Sequence, residues 1–200
     1  ACLAMESGHP QTRKRLCDLL WPEMPENAAR QSLSQAISRL RKVLREKPAT
    51  PPYLLANAES VQLNPTAPVE VDAVRFTTLL AQAERHMHRD WRLCSPCAGK
   101  LQKAVSLYHG DFLAQFYLSD SAGFEEWALL HRERLRQVML SALERLVRVF
   151  EWRSEYGQAV EMARRHAEMG PWDDGSQREL MRLLALSGQR SAALVQYAHL

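Results

Sequence analysis

His86-x-His88-x5-Cys94-x2-Cys97 is the stretch of this 200-residue chain whose side chains and spacing most plainly could do chemistry. Two imidazoles and two thiols meet the tetrahedral nitrogen–sulfur demand of zinc, and a Cys-x2-Cys pair can chelate from a single turn. No carboxylate base and no open-site pattern accompanies the four residues, so a structural ion is expected rather than a catalytic one. A redox role has little support, because no βαβ pattern surrounds the cysteines. One condition attaches to the histidines. In a continuous helix His86 and His88 would point about 200° apart, so both can ligate only where the helix unwinds or the chain is extended. The competing reading is a loop with incidental cysteines and exposed histidines. Structural zinc is thus the only cofactor expected, and none is required.

Other chemistry is sparse. His109, His131 and His166 have no nucleophile or carboxylate constellation near them in sequence, and no GxxxxGK[ST] phosphate loop occurs. The chain is not expected to be an enzyme. With 46% hydrophobic and 24% charged residues it is too apolar for intrinsic disorder. It also lacks the run of about 20 apolar residues that spans a bilayer. Four unevenly placed cysteines do not make a secreted disulfide scaffold, so a reducing cytoplasm is the expected location.

Charge is distributed unevenly. Residues 1–64 hold 9 Lys/Arg against 6 Asp/Glu, whereas residues 65–200 hold 17 of each. All the excess positive charge therefore sits where a polyanion would be met. Thr12 is a candidate cap for a short helix with Leu16, Leu19 and Leu20, ended by Pro22 and Pro25. A second helix follows, with Asn27 as a possible cap and an apolar stripe of Leu33, Ile37, Leu40 and Leu44. Lys47-Pro48 and Pro51-Pro52 are expected to stop it. Its opposite face carries Gln31, Gln35, Ser38 and Lys42, flanked by Ser34, Arg39 and Arg45. Such residues reach base edges and neutralise phosphates in a major groove. Tyr53-Leu54-Leu55 and Ser60-Val61-Gln62-Leu63 read as two short strands around the turn Ala56-Asn57-Ala58-Glu59. Two helices closed by a hairpin outline a winged helix-turn-helix whose wing tip runs from Asn57 to Ser60.

Beyond Asp72 only helices are expected. One starts at Asp72 with Phe76, Leu79, Leu80 and Ala83. Another carries Leu101, Ala104, Val105 and Tyr108 and stops at Gly110. A long one follows Asp120-Ser121 with the stripe Phe124, Trp127, His131, Leu135, Val138, Ala142 and Leu146. Two more flank Gly170-Pro171, and a further break falls at Ser187-Gly188. Trp127, Trp152, Trp172, Tyr108 and Tyr156 are read as core residues. Leu146/Leu180, Phe150/Leu184, Tyr156/Arg190, Ala159/Ala193 and Ala163/Tyr197 are each 34 residues apart, the period of a tetratricopeptide helix pair. Stacked helix pairs make concave surfaces for protein partners.

Leu19-Leu20-Trp21-Pro22, Ala28-Ala29-Arg30 and Ile37-Ser38-Arg39-Leu40-Arg41-Lys42-Val43-Leu44 closely resemble the winged helix of SARP-type antibiotic regulatory activators, which is of the OmpR class. Leu107-Tyr108-His109-Gly110-Asp111-Phe112-Leu113, Phe124-Glu125-Glu126-Trp127 and the block from Leu180 to Arg190 resemble the bacterial transcriptional activation domain that follows it in that family. The resemblance covers nearly the whole chain. It implies a mainly α protein: a partial winged helix-turn-helix with a short β-hairpin wing at 1–68, then an all-α, TPR-like repeat domain at 69–200. By the same resemblance the N-terminal strands are missing, Ala1–Met5 is the tail of the first helix, and the chain is a C-terminally truncated piece of a longer regulator. The implied function is a transcription activator that binds double-stranded promoter DNA and recruits RNA polymerase holoenzyme, with homodimerisation open and no membrane partner. By motif, Arg30, Arg39 and Arg41 fall on basic positions of the recognition helix, Arg41 nearer its apolar edge. Arg13, Lys14 and Arg15 are candidate phosphate contacts. The competing reading is a TPR-like interaction or sensor module whose DNA-binding portion has degenerated.

Overall fold

A computed structural model describes residues 1–45 and 51–198. The chain divides into two compact units, Ala1–Val74 with Gly110–Glu133, and Arg75–His109 with Arg134–Leu200. The architecture is mainly helical, with a small antiparallel sheet near the N-terminus followed by helices alone.

In the first unit, α1 (Cys2–Met5) precedes β1 (Gln11–Thr12), α2 (Arg13–Leu20), α3 (Glu26–Val43), β2 (Leu54–Ala56) and β3 (Ser60–Leu63). Thr12 caps α2 as expected, its hydroxyl accepting the Arg15 N–H at 3.2 Å. α3 starts one residue before the expected cap. Pro25, φ −53°, holds the N-cap position without a side-chain bond, and Asn27 lies within the first turn. A proline there suits helix entry, since its φ is already set and its missing N–H leaves no orphan donor. At the other end Arg45 adopts φ 52°, the left-handed turn that closes many helices. The stop expected at Lys47-Pro48 lies outside the described residues.

The hairpin forms as expected at β3, while β2 is shifted by one residue, dropping Tyr53 and taking in Ala56 from the expected turn. Leu54 pairs with Leu63 and Ala56 with Val61, in a sheet of order β1-β3-β2. β1 was not expected; it pairs Gln11 with Val61 and is too short to show a period of two. Leu16, Cys17, Ala29, Leu33, Ile37, Leu54 and Val61 form the core between the helices and the sheet. Leu40, counted on the apolar stripe, is 40% exposed, while Leu44 packs half-buried against the cluster. Residues 110–133 complete this unit. Buried Ser121 accepts the Phe124 N–H at 3.2 Å and donates its hydroxyl to the Leu19 carbonyl, a bond across 102 residues of sequence.

The second unit is built from α4 (Asp72–Arg85), α5 (Ser95–Leu107), α6 (Ala122–Trp152), α7 (Tyr156–Met169), α8 (Asp174–Leu186) and α9 (Arg190–Ala198), the opening residues of α4 and α6 belonging to the first unit. α6 supplies Met139, Leu143, Leu146, Val147, Val149 and Phe150, all essentially inaccessible. Ala159, Ala163 and Ala167 are the buried small residues of α7, and they let its neighbours approach closely. Helix ends are satisfied by charge. Arg165 donates to the Val105 carbonyl at 3.0 Å and to the Tyr108 carbonyl at the end of α5, and Asp173 accepts the Gly175 and Ser176 N–H groups opening α8. The first residues of α7 and α9, Tyr156 and Arg190, repeat the 34-residue spacing. Paired positions Leu146/Leu180, Phe150/Leu184 and Ala159/Ala193 are all buried, whereas Ala163 is buried and Tyr197 is 68% exposed.

Two aromatic assignments need correction. Tyr108 is buried and Trp127 and Tyr156 are half-buried, but Trp152 is 53% and Trp172 94% exposed. Trp152 is the last residue of α6, past its buried stripe, and its ring carries the Arg92 guanidinium at 4.5 Å. Trp172 follows Gly170-Pro171 in the α7–α8 connection, where no helix face can bury it.

Leu183 is fully buried, so Leu183→Ala should destabilise the protein by about 2–5 kcal/mol in urea unfolding. Leu194→Ala, at a 69% exposed position, should stay within about 0.5 kcal/mol. On the same unit Arg182 makes two hydrogen bonds to Glu151, one at 3.0 Å, and these hold the Glu151 carboxyl below its ordinary value. A depressed folded-state pKa stabilises above the unfolded value of about 4.3 and the gain is lost as pH falls through the folded pKa. Arg182→Gln should therefore lower stability at pH 7 and converge on wild type towards pH 2, read by unfolding at both pH values.

Candidate functional site

The exposed face of α3 is polar and basic. Ala29, Leu33 and Ile37 turn inward, which leaves Gln31, Gln35, Ser38, Arg39 and Lys42 exposed on the far side. Among the described residues none of these five side chains makes a hydrogen bond or an ion pair. Arg30 is also exposed and pairs with Glu26 at 2.8 Å, one turn earlier on the same helix. An exposed pair of this kind contributes little stability, and a stronger anion can displace it. Lys14 and Arg45 are exposed at the start of α2 and the end of α3.

Five other expected contact residues have work within the fold. Arg13 donates from Nε to the Asn57 carbonyl at 2.8 Å and from Nη1 to the Ser34 hydroxyl at 3.3 Å, clamping the β2–β3 turn to α3. Ser34 itself donates to the Arg30 carbonyl at 2.9 Å. The Asn57 side-chain oxygen accepts the Glu59 and Ser60 N–H groups at 2.8 and 2.7 Å, so it shapes the turn. Arg41 is half-buried and donates to the Leu54 carbonyl of β2 at 3.3 Å. Arg15 likewise reaches Gln11 at 2.5 Å and Glu6 at 3.0 Å. Nothing in the sequence separates these arginines from the free ones, because their partners are backbone carbonyls and distant side chains.

The His/Cys group lies in the second unit. Its four ligating atoms are all within 4.8 Å of one another, between the end of α4 and the first turn of α5. His109, His131 and His166 are not part of it. His131 Nδ1 sits 2.9 Å from the Trp127 carbonyl, and its ring stacks 4.3 Å from the indole centroid.

The family model for the bacterial transcriptional activator domain matches residues 71–200. The chain belongs to that family, a family of transcription regulators and not of enzymes. A comparison with curated proteins finds no match. No helix among the described residues is long and apolar enough to cross a membrane.

Because Arg13 bridges two elements from a half-buried position, Arg13→Ala should cost about 1–2 kcal/mol in urea unfolding. Gln35→Ala, on the exposed face, should change stability by no more than about 0.5 kcal/mol.

Proposed function

We propose that this protein is a transcription activator that docks α3 in the major groove of promoter DNA. The β2–β3 hairpin is the wing of a winged helix-turn-helix, set against the neighbouring backbone. The helical remainder is a TPR-like module for contacts with RNA polymerase or other partners. The observation that carries this reading is the row Gln31, Gln35, Ser38, Arg39 and Lys42, exposed on one helix face in the third of the chain that holds its excess positive charge, in a member of a transcriptional activator family. Gln, Ser and Arg supply the donors and acceptors that read base edges, and Lys42, Arg45, Arg30 and Lys14 supply the positive charge that phosphates meet. Arg13, Arg41 and Asn57 keep hairpin and helix in register, and touch DNA only as an extension of that role.

A competing reading, an interaction or sensor module with a degenerate DNA-binding part, draws on the number of basic side chains already paired inside the fold. DNA binding separates the two. Duplexes enriched from a random pool by the full chain should bind with an affinity that falls steeply with salt. Arg39→Ala should reduce discrimination between enriched and unrelated duplexes by about 1–3 kcal/mol, and Lys42→Ala should weaken both alike and lower the salt slope by about 1. A chain that enriches no duplex, or whose binding ignores both substitutions, supports the interaction module instead.

A further inference from the structure

The connection between α4 and α5 lies outside the DNA-binding reading and has a chemistry of its own. We propose that His86, His88, Cys94 and Cys97 bind one zinc ion, which closes this connection and fixes the two helices as a pair.

The condition set by the histidine spacing is met. α4 ends at Arg85, so His86 and His88 stand on non-helical chain and are free of the helical rotation that would part them. Cys94 occupies the N-cap of α5 and Cys97 its first turn, three residues on and therefore on the same side of the helix. His86 Nδ1 is 3.1 Å from Cys97 Sγ and 3.4 Å from Cys94 Sγ, and the fourth ligand atom, from His88, completes a set spanning no more than 4.8 Å. Donors held about 2.0–2.3 Å from a tetrahedral zinc lie about 3.3–3.8 Å apart, so the set needs to contract by about 1.5 Å at most.

Three further features favour a cation at the centre. His88 Nε2 is buried and has no hydrogen-bond partner among the described residues, a costly state for a polar atom unless something occupies its lone pair. Both sulfurs come from one short segment at the start of α5, so a single turn of chain presents two soft donors to the same point. The loop that carries the ligands is already braced. Arg92 grips Asp90 through two hydrogen bonds of 3.1 and 2.9 Å while stacking on Trp152, and Arg145 lies 5.5 Å over the Trp91 ring. Two thiolates with two imidazoles suit zinc and not the oxygen-seeking calcium or magnesium. Four protein ligands leave no open position, so the ion is structural.

The test uses the full chain, purified under reducing conditions and loaded with zinc or cobalt(II). The expected result is one zinc per chain by elemental analysis, and a cobalt(II) form with the intense d–d and thiolate charge-transfer bands of a tetrahedral ion. Chelation should lower the melting temperature by several degrees. Cys94→Ser and His88→Gln, both at half-buried positions, should weaken zinc binding at least tenfold, whereas Cys2→Ser should leave it unchanged. The wild-type cobalt spectrum does not depend on any variant folding. Substoichiometric zinc after loading, a weak octahedral cobalt spectrum that survives Cys94→Ser, or a Cys94–Cys97 disulfide in place of bound metal would each overturn the proposal.

Discussion

Burial of α6 is the constraint from which the helical unit follows. Between Leu135 and Phe150 this helix turns Met139, Ala142, Leu143, Leu146, Val147, Val149 and Phe150 away from water. Those positions cover far more than one narrow stripe. A helix apolar over so much of its circumference is stable only when neighbours cover several sides at once. Short amphipathic helices with small residues at their contacts can do this, and the alanines of α7 and the leucines of α8 are of that kind. Without that burial, helices of 9 to 14 residues such as α7 and α9 would be marginal in water.

Arginine is used in two ways. Where a guanidinium can reach unpaired carbonyls at a helix end or across a turn, it serves as mortar. Arg165 closes the end of α5, Arg132 donates to the Phe112 and Leu113 carbonyls, and Arg13 ties the hairpin turn to α3. Where the helix face points outward with no carbonyl in range, as at Arg39, the charge stays available for a ligand. The sum of positive charge over residues 1–64 thus overstates what a polyanion would meet, because part of it is already neutralised or hydrogen-bonded within the fold.

Periodicity was the most legible signal. The stripe Leu33–Ile37 placed α3, the two short apolar runs around the Asn57 turn placed the hairpin, and the 34-residue offsets match buried positions of α6 with those of α8 and Ala159 of α7 with Ala193 of α9. Signals that depend on two or three residues were weaker. β1 is two residues long, and the entry to α3 turned on Pro25 rather than on Asn27. Trp152 and Trp172 show why size and apolarity alone mislead, since each sits at a helix end or in a connection where burial depends on what packs above it.

By itself the sequence determined the helices, the hairpin, the outward polar face of α3 and the donor types of the His/Cys cluster, because all of these follow from local spacing and side-chain chemistry. Only the tertiary structure decided which arginines are occupied, that residues 110–133 complete the N-terminal unit, and that His86 and His88 leave the helix to stand beside Cys94 and Cys97. Those outcomes rest on contacts between residues far apart in the chain or on where a helix frays. Their free energies are differences between competing packings, and no local pattern records such a difference.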